Sequence, residues 1–258
     1  MRIIQTFYDN LATQYDKLFL DWQATTQEQA VILERIFANC GFGKSAKILD
    51  CACGIGTQSI GLAKLGYCVT GSDISEGELR EARERAAKNG VEIPFMKADF
   101  CRLSETFAEQ FDLVIAMDNA LPHMLTKEAL ETAVQSIVER VKGGGMFVAS
   151  IRDYDAVLMN KPTYSPPYIH KTDKGQRVCF QTWDWSGDNY KLVQYIIEDG
   201  ETLEISKFPC EYRATTRAEL TALLQRNGCE VVWLYPEETD FYQPIVVAKK
   251  GLGGNIHD

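Results

Sequence analysis

The stretch that decides the fold reads KILDCACGIGT and occupies residues 47–57. The apolar pair Ile48 and Leu49 leads into the acidic Asp50, which predicts a short β-strand over 47–51. The tight turn that follows carries Gly54 and Gly56. Glycine suits such a turn because it permits positive φ and lets the backbone approach a ligand without an intervening Cβ. The next segment, 57–65, is amphipathic and predicts a helix whose first N–H groups are free for an electron-rich partner.

A second acidic residue narrows the kind of cofactor that this loop would bind. Asp73 follows an apolar segment, 67–72, that predicts the next strand, and there it can accept both hydroxyls of a ribose. The dinucleotide fingerprint needs a third glycine three positions after Gly56, and Ser59 stands in that place. The loop and Asp73 together therefore predict an adenosine-type cofactor and disfavour a nicotinamide or flavin dinucleotide.

Strand-like and helix-like segments alternate between residues 46 and 151, which predicts an α/β fold with a doubly wound parallel sheet covered by helices on both faces. The pattern breaks afterwards: the proline-rich residues 160–175 predict a loop, and three alternating segments up to residue 212 predict an inserted antiparallel β meander. The aromatic N-terminus predicts helices that either form a lid or only pack against the main domain. The predicted division is a lid over 1–40, a cofactor-binding domain over 41–151 and 215–250, and a substrate-side subdomain over 152–214.

Composition and charge exclude several classes of function. The 258 residues carry a net charge of −9 without a run of Lys or Arg, so we expect no nucleic acid partner. Eight cysteines form no Cys-x-x-Cys pair and only three histidines are present, so no metal site is predicted. No apolar run approaches roughly 18 residues, and no basic and apolar leader opens the sequence. We therefore expect a soluble cytoplasmic protein with no membrane partner; a homo-oligomer stays open.

Four motifs, in order, resemble those of the class I S-adenosylmethionine-dependent methyltransferases. The first is the glycine loop with Asp50, the second is Asp73, the third is ADF at 98–100 and the fourth is FDLVI at 111–115. The likeness extends over residues 46–250. It implies a Rossmann-like, seven-stranded methyltransferase sheet with S-adenosyl-L-methionine as the cofactor.

Within that class, the sequence is most similar to the glycine and sarcosine N-methyltransferases. The segments ACGIGT at 52–57, NALPH at 119–123 and RDYD at 152–155 resemble segments of those enzymes. One departure concerns an arginine that those enzymes place beyond an N-terminal aromatic segment to bind the cofactor's carboxylate. Here residues 23–27 read QATTQ. Either helix-terminal amides do this work or the N-terminal lid is built differently.

The resemblance implies a set of site residues. Asn119 and Arg152 are implied to hold an amino-acid or other small amine substrate, and His123 lies in the same segment as Asn119. The residues implied to form the cofactor site are Tyr8, Tyr15, Asp50, Ala52, Gly54, Gly56, Asp73, Asp99, Phe100 and Met117.

Each implied substrate residue also has a purely structural alternative. The planar fork of Arg152 can bind a substrate carboxylate through two hydrogen bonds, or it can pair with Asp153 or Asp155. Asn119 can orient the substrate amine or cap the next helix. His123 can help the amine lose its proton, or it can simply pack in the loop.

Methyl transfer is an in-line displacement at a sulfonium carbon, so the protein mainly supplies proximity and alignment. The sequence predicts an N-methyltransferase acting on glycine, sarcosine or a similar small amine. Three alternatives remain. The enzyme could methylate another small molecule at oxygen or nitrogen, or the protein could bind the cofactor without catalysis. A Rossmann dehydrogenase is the third alternative, and Ser59 and Asp99 disfavour it.

Overall fold

The computed structural model describes residues 2–173 and 175–252, which form two β-sheets and flanking helices. In chain order the strands are β1 (Lys47–Asp50), β2 (Cys68–Asp73), β3 (Phe95–Lys97), β4 (Phe111–Ala116), β5 (Val141–Ser150), β6 (Tyr168–Thr172), β7 (Gly175–Ser186), β8 (Asn189–Asp199), β9 (Leu203–Arg213), β10 (Cys229–Leu234) and β11 (Ile245–Lys250). The main sheet has seven strands in the order β3-β2-β1-β4-β5-β11-β10. Strands β1 to β5 are parallel, and β11 runs antiparallel to both of its neighbours. The predicted seven-stranded Rossmann-like sheet is confirmed.

Helices cover both faces of this sheet. They are α1 (Arg2–Leu11), α2 (Trp22–Asn39), α3 (Thr57–Lys64), α4 (Glu76–Lys88), α5 (Lys127–Glu139), α6 (Tyr154–Asn160), α7 (Arg217–Arg226) and α8 (Pro236–Thr239). Successive side chains of a strand point to opposite faces. Ile48 accordingly lies in one buried cluster with Leu33 of α2, whereas Leu49 lies in another with Leu130 of α5 and Leu220 of α7.

The N-terminal segment is helical, as predicted; Met1 lies outside the described residues. A 3₁₀ turn over Ala12–Leu18 links α1 to α2. The Asp21 side chain caps α2 by accepting the backbone N–H of Ala24 over 3.0 Å. The indole of Trp22 donates to Oγ1 of Thr57 over 2.9 Å, and both groups are buried. This bond fixes the start of α2 to the start of α3, beside the glycine loop.

The inserted antiparallel meander is confirmed between β5 and α7, and it has four strands in the order β6-β7-β8-β9. The prediction of a loop over 160–175 is wrong for Tyr168–Thr172, which pairs with β7 as β6. Prolines just before this strand conceal its short alternating pattern. Helix α6 also precedes the meander and was not predicted. One face of the meander joins the main core through Leu192, Phe208 and Tyr212.

Candidate active site

Two adjoining cavities lie at the carboxyl edge of the parallel strands, where doubly wound sheets bind their ligands. The first, which we call the loop cavity, lies against the glycine loop and has an empty volume of about 740 Å³. The second, the meander cavity, is lined by residues of the meander and of the N-terminal segment and has an empty volume of about 2200 Å³. Tyr8, Tyr15 and Asp118 line both cavities, so the two spaces adjoin at these side chains.

The structure brings most of the predicted site residues to these cavities. Asn119 and Arg152 line the meander cavity. Asp50 and Gly56 line neither cavity. Asp50 is the last residue of β1, and Gly56 is the residue from which α3 begins. The predicted residues that line the loop cavity are Tyr8, Tyr15, Ala52, Gly54, Asp73, Asp99, Phe100, Met117 and His123.

The glycine loop needs both of its glycines for backbone reasons. Gly54 has φ of +51° and Gly56 has φ of +89°, in the left-handed region that residues with a Cβ rarely adopt. A Cβ on Gly56 would also lie 3.0 Å from Cδ1 of Ile60 in the first turn of α3. Gly56 is the N-cap of α3, so the loop delivers the chain directly into the helix.

Asp73 joins the glycine loop to the end of β2. Its Oδ2 accepts the backbone N–H of Gly54 over 2.9 Å, and its Oδ1 accepts that of Ser75 over 2.9 Å. Burial raises the pKa of the Asp73 carboxyl, and these two N–H groups act in the opposite direction. Because each carboxylate oxygen has two lone pairs, Asp73 keeps one per oxygen for donors in the loop cavity.

Asp50, the last residue of β1, is hydrogen-bonded to α3, the helix that follows the glycine loop. It is fully buried, and its Oδ2 accepts the hydroxyl of Ser59 over 2.7 Å. Its Oδ1 has no hydrogen-bond partner among the described residues. Burial raises the pKa of Asp50 to about 7, although the bond from Ser59 opposes this change. Ser59, which stands where the dinucleotide fingerprint has its third glycine, is therefore hydrogen-bonded to Asp50 at the end of β1.

Asp99 occupies the equivalent place after β3. Its Oδ1 accepts the backbone N–H of Cys101 over 2.9 Å, which caps the short 3₁₀ turn Phe100–Glu105. Its Oδ2 is buried without a hydrogen bond within the described part of the chain, although the Arg102 guanidinium lies 3.5 Å away. This oxygen is therefore paired by charge with Arg102, and Asp99 is one of the residues that line the loop cavity.

His123 is a buried, neutral residue that contacts the N-terminal helix. The Tyr8 hydroxyl lies 2.7 Å from its Nε2, and the carbonyl oxygen of Glu211 lies 3.4 Å from its Nδ1. Burial lowers the pKa of His123 to about 3, so the ring carries one proton at physiological pH. That proton is assigned to Nδ1, facing the carbonyl, and Nε2 then accepts the Tyr8 hydroxyl. The ring also packs on Tyr212, with centroids 4.2 Å apart.

Asn119 links the loops that follow β4 and β5. Its Oδ1 accepts the backbone N–H of Arg152 over 3.0 Å, and its Nδ2 donates to the Tyr154 hydroxyl over 3.0 Å. The helix that follows, α5, is capped instead by Thr126. Asn119 therefore does not cap that helix, and its side chain is used mainly to hold the Arg152 loop in place.

Arg152 presents its guanidinium to the meander cavity. Nη1 donates to the Tyr190 hydroxyl over 2.9 Å and Nη2 donates to Oε1 of Gln181 over 3.0 Å, both from meander strands. The two neighbouring acids, Asp153 and Asp155, form ion pairs with Arg217 instead, at 2.6 and 3.3 Å. Within residues 2–173 and 175–252, no carboxylate oxygen lies within 4.0 Å of the Arg152 guanidinium.

The chain is similar to known proteins in both sequence and fold. A family profile described as "Methyltransferase domain" matches residues 48–145. A glycine/sarcosine N-methyltransferase of Aphanothece halophytica is 23% identical over 203 residues, which are 79% of this chain and 69% of that protein. A ubiquinone biosynthesis O-methyltransferase of Ruegeria sp. (strain TM1040) is 36% identical over 40% of each chain. The CcbJ methyltransferase of Streptomyces caelestis superposes with a TM-score of 0.76 at 21% identity, over 96% of this chain and 98% of that one. Residues 48–145 thus match a methyltransferase domain, and the sequence and structural relatives together support a class I S-adenosylmethionine-dependent methyltransferase.

The sequence did not point to several side chains that complete the cavities of this methyltransferase. Three of them belong to the meander. Gln181 and Tyr190 accept hydrogen bonds from Arg152, and the ring centroid of Trp183 lies 5.0 Å from the Arg152 guanidinium carbon. No local pattern marks them, because alternation shows which residues share a face but not what that face covers. Asp118 is different, since it follows β4 closely, and its position after a parallel strand was a usable signal.

The described part of this methyltransferase offers neither a cluster of metal ligands nor a membrane-spanning helix. No group of three or more His, Cys, Asp or Glu side chains in residues 2–173 and 175–252 is arranged to hold a metal ion. None of the helices in this part of the chain combines the length and apolar character needed to cross a membrane.

Proposed function

We propose that this methyltransferase transfers a methyl group from S-adenosyl-L-methionine to the amine of a small molecule, with glycine and sarcosine as the first candidates. In this proposal the loop cavity binds the cofactor and the meander cavity binds the acceptor. The observation that carries the proposal is the Arg152 guanidinium, which lines the meander cavity without a carboxylate partner among the described residues. A planar guanidinium of this kind matches the carboxylate of an amino acid.

The polar groups of the loop cavity fit the cofactor. The remaining lone pairs of Asp73 suit two ribose hydroxyls, and Asp99 and Phe100 line the same cavity on the side where we place the adenine. Gly54 leaves room for close approach of the ligand to the backbone. When bound, the cofactor supplies a methyl group on a positively charged sulfur, whose departure requires no proton.

The residues around the acceptor divide into one binding group and two positioning groups. Arg152 binds the acceptor's carboxylate. Asn119 holds the backbone of Arg152, and both ends of its amide are already bonded. His123 is neutral and accepts the Tyr8 hydroxyl, so its role is to hold Tyr8 between the two cavities rather than to remove a proton.

The N-terminal residues are proposed to act as a lid, and residues 152–214 as the acceptor-side subdomain. Ile4, Tyr8 and Tyr15 contribute to the wall of the loop cavity. Asp9 holds this segment to the start of α4, because its Oδ1 accepts the Ser75 hydroxyl over 2.6 Å and the Gly77 N–H over 2.9 Å. A ligand that enters the loop cavity must therefore pass this segment.

A second candidate is transfer to a larger small molecule, at oxygen or at nitrogen. The meander cavity favours it, because the space in it that water-sized molecules can occupy is about 810 Å³, near the upper end of ordinary ligand pockets of about 300–1,000 Å³, and glycine would fill only a small part of it. Its aromatic lining, which includes Phe180, Trp183 and Tyr212, also suits a larger and partly apolar acceptor.

The experiment that tests the proposal is incubation of the protein with methyl-labelled S-adenosyl-L-methionine and a panel of acceptors. The panel contains glycine, sarcosine, larger amino acids, amino sugars and phenols, and the labelled product is identified by mass spectrometry. Label in sarcosine or dimethylglycine supports the first candidate, and label in another acceptor supports the second. Binding of the cofactor without transfer to any panel member would contradict both and favour a binding protein.

A further inference from the structure

One charged residue lies where the two cavities adjoin. Tyr8, Tyr15 and Asp118 are the residues that line both cavities in the described part of the chain, and Asp118 is the charged one. It comes two residues after the end of β4 and is thus placed by a central strand of the sheet. A group that lies at this boundary is close to both ligands of a transfer reaction.

The Asp118 carboxylate has neutral partners only. Its Oδ1 accepts the Tyr242 hydroxyl over 2.7 Å, and its Oδ2 accepts Nε2 of Gln58 over 2.8 Å. Within residues 2–173 and 175–252, no Lys, Arg or His nitrogen lies within 4.0 Å of it. Each oxygen keeps a lone pair. Asp118 is partly buried, and a carboxylate without a cation beside it attracts a cationic ligand.

The backbone of this loop is held in an uncommon conformation. Asp118 and Asn119 have φ of 55° and 68°, in the left-handed region. Ser150 fixes them, because its Oγ accepts the Asp118 N–H over 2.8 Å and its carbonyl accepts the Asn119 N–H over 3.1 Å. Two such residues in sequence cost free energy, which is typical of backbone at functional sites. Here the conformation fixes the direction of the Asp118 side chain.

Two opposite charges that follow central strands line the meander cavity without an ion-pair partner among the described residues, and the exposed carboxylate of Glu237 lines it as well. Arg152 is the cation and Asp118 is the anion, and both line this cavity. The side chain of Tyr242 lines the meander cavity but not the loop cavity, and it bonds Oδ1 of Asp118. One oxygen of the carboxylate is thus on the acceptor's side. A zwitterion with a carboxylate at one end and an ammonium at the other matches this pair of charges.

We propose that Asp118 binds the ammonium group of the acceptor and takes from it the proton that must leave before methyl transfer; this inference rests on the proposed amine methylation. The N–H bond breaks, an O–H bond forms on the Asp118 carboxyl, and the electron pair stays on nitrogen. That pair then forms the N–C bond to the methyl group, and the electrons of the broken C–S bond stay on sulfur. Burial raises the pKa of Asp118, which makes it a better proton acceptor.

The test compares wild-type protein with Asp118→Asn, and the control is Asp184→Asn, an exposed residue of β7. The measurements are the Kd of S-adenosylhomocysteine by calorimetry and kcat/KM with glycine, with sarcosine and with the panel amine that the wild type methylates fastest. We expect Asp118→Asn to change the Kd less than about twofold and to lower kcat/KM about 100-fold or more near pH 7. The loss should shrink towards about pH 9.5, because more of the amine is then already deprotonated. Asp184→Asn should behave like wild type.

A second variant, Tyr242→Phe, keeps the carboxylate and removes one donor to it. Because a hydrogen bond to the ionised form lowers a pKa, its loss should move the acidic limb of the kcat/KM profile to higher pH. Tyr15 and Asp50 also interact electrostatically with this carboxylate, and both variants leave them unchanged.

Each contrary result has its own meaning. Full turnover by Asp118→Asn with an unchanged pH profile would overturn the inference and leave the amine methyltransferase intact. A loss of S-adenosylhomocysteine affinity of tenfold or more at unchanged KM would assign Asp118 to the cofactor's own ammonium. No transfer to any amine by the wild type would overturn the proposed function and this inference together.

Discussion

The hydroxyl of Tyr8 lies 2.7 Å from Nε2 of His123, across 115 positions of the chain. This hydrogen bond ties α1 to the loop after β4 at the boundary of the two cavities. Since the low pKa of His123 keeps the ring neutral, the tyrosine donates and the imidazole accepts.

Replacing Tyr8 with Phe should leave the buried Nε2 of His123 without a donor. We expect the free energy of unfolding to fall by about 1–3 kcal/mol, the usual cost of an unpaired buried polar group. Chemical denaturation of the ligand-free protein measures the loss. Tyr15→Phe, on the same cavity wall, is the control. An equal loss in both variants would mean that the bond to His123 is not the cause.

Asp73→Asn should weaken binding of the cofactor product. One amide N–H group would face a backbone N–H donor, either that of Gly54 or that of Ser75, and an acceptor for ribose would be lost. We expect the Kd of S-adenosylhomocysteine to rise about 10- to 100-fold, which corresponds to one hydrogen bond to a charged group. Calorimetry measures this value. Asp112→Asn, at the amino end of β4, should leave the Kd unchanged, and a similar effect in both variants would argue against a specific role.

Arg152→Lys tests the acceptor carboxylate. A lysine keeps the charge but cannot donate to Tyr190, to Gln181 and to a carboxylate from one plane. With glycine or sarcosine we expect KM to rise about 10- to 100-fold while the Kd of S-adenosylhomocysteine stays within twofold. Arg217→Lys, which is paired with Asp153 and Asp155, is the matched control. Parallel losses of cofactor and acceptor binding in Arg152→Lys would indicate a structural role instead.

Asp50 should make stability depend on pH. Burial raises its folded-state pKa from 3.8 to about 7, so the unfolded chain loses the proton first as the pH rises. Stability should therefore decrease between about pH 4 and pH 7, by about 1.4 kcal/mol for each pKa unit of difference. Asp50→Asn lacks this term, so its stability relative to wild type should improve between pH 5 and pH 8, as urea denaturation can show.

Asp112→Asn is the control for the urea denaturation, because folding lowers the pKa of Asp112 whereas it raises that of Asp50. Burial alone would raise the pKa of Asp112, but the hydrogen bond and charge of Lys142 outweigh it and lower the pKa. Its carboxylate therefore stabilises the fold above the unfolded pKa, and the variant should lose stability at both pH 5 and pH 8. Identical pH dependence in wild type and Asp50→Asn would refute the assignment for Asp50.

The lid proposal predicts a local change in hydrogen exchange. If residues 4–11 must open to admit the cofactor, bound S-adenosylhomocysteine should slow exchange of their amides. Amides of α7, which lies away from both cavities, should exchange at the same rate with and without the ligand. Mass spectrometry of peptides resolves the two regions. Unchanged exchange in residues 4–11 at saturating ligand would contradict a lid.

The residues of the loop cavity could be predicted because they are set by local sequence. Asp73 ends a parallel strand, Ala52 and Asp99 closely follow others, and the carboxyl ends of such strands meet at one edge of the sheet. Strand boundaries were therefore sufficient to bring these side chains together. The positive φ angles of Gly54 and Gly56 could also be predicted, because glycine is the residue type that adopts them readily.

The bonding partners within the site could not be predicted in the same way. Tyr242 reaches Asp118 across 124 positions, and Gln58 reaches it across 60. Such pairs depend on how layers pack, and no local period encodes them. Asn119 shows the limit clearly: the sequence predicted contact with a substrate, but it could not show that Oδ1 accepts the Arg152 N–H and that Nδ2 donates to the Tyr154 hydroxyl.

The placement of the meander has a consequence for how such enzymes diversify. Strands β6 to β9 form one uninterrupted insertion between β5 and α7, whereas the glycine loop and Asp73 lie far upstream. On the proposed division of the site, exchange of this single gene segment, in evolution or in the laboratory, would change the repertoire of acceptors while the methyl-donor half is inherited unaltered.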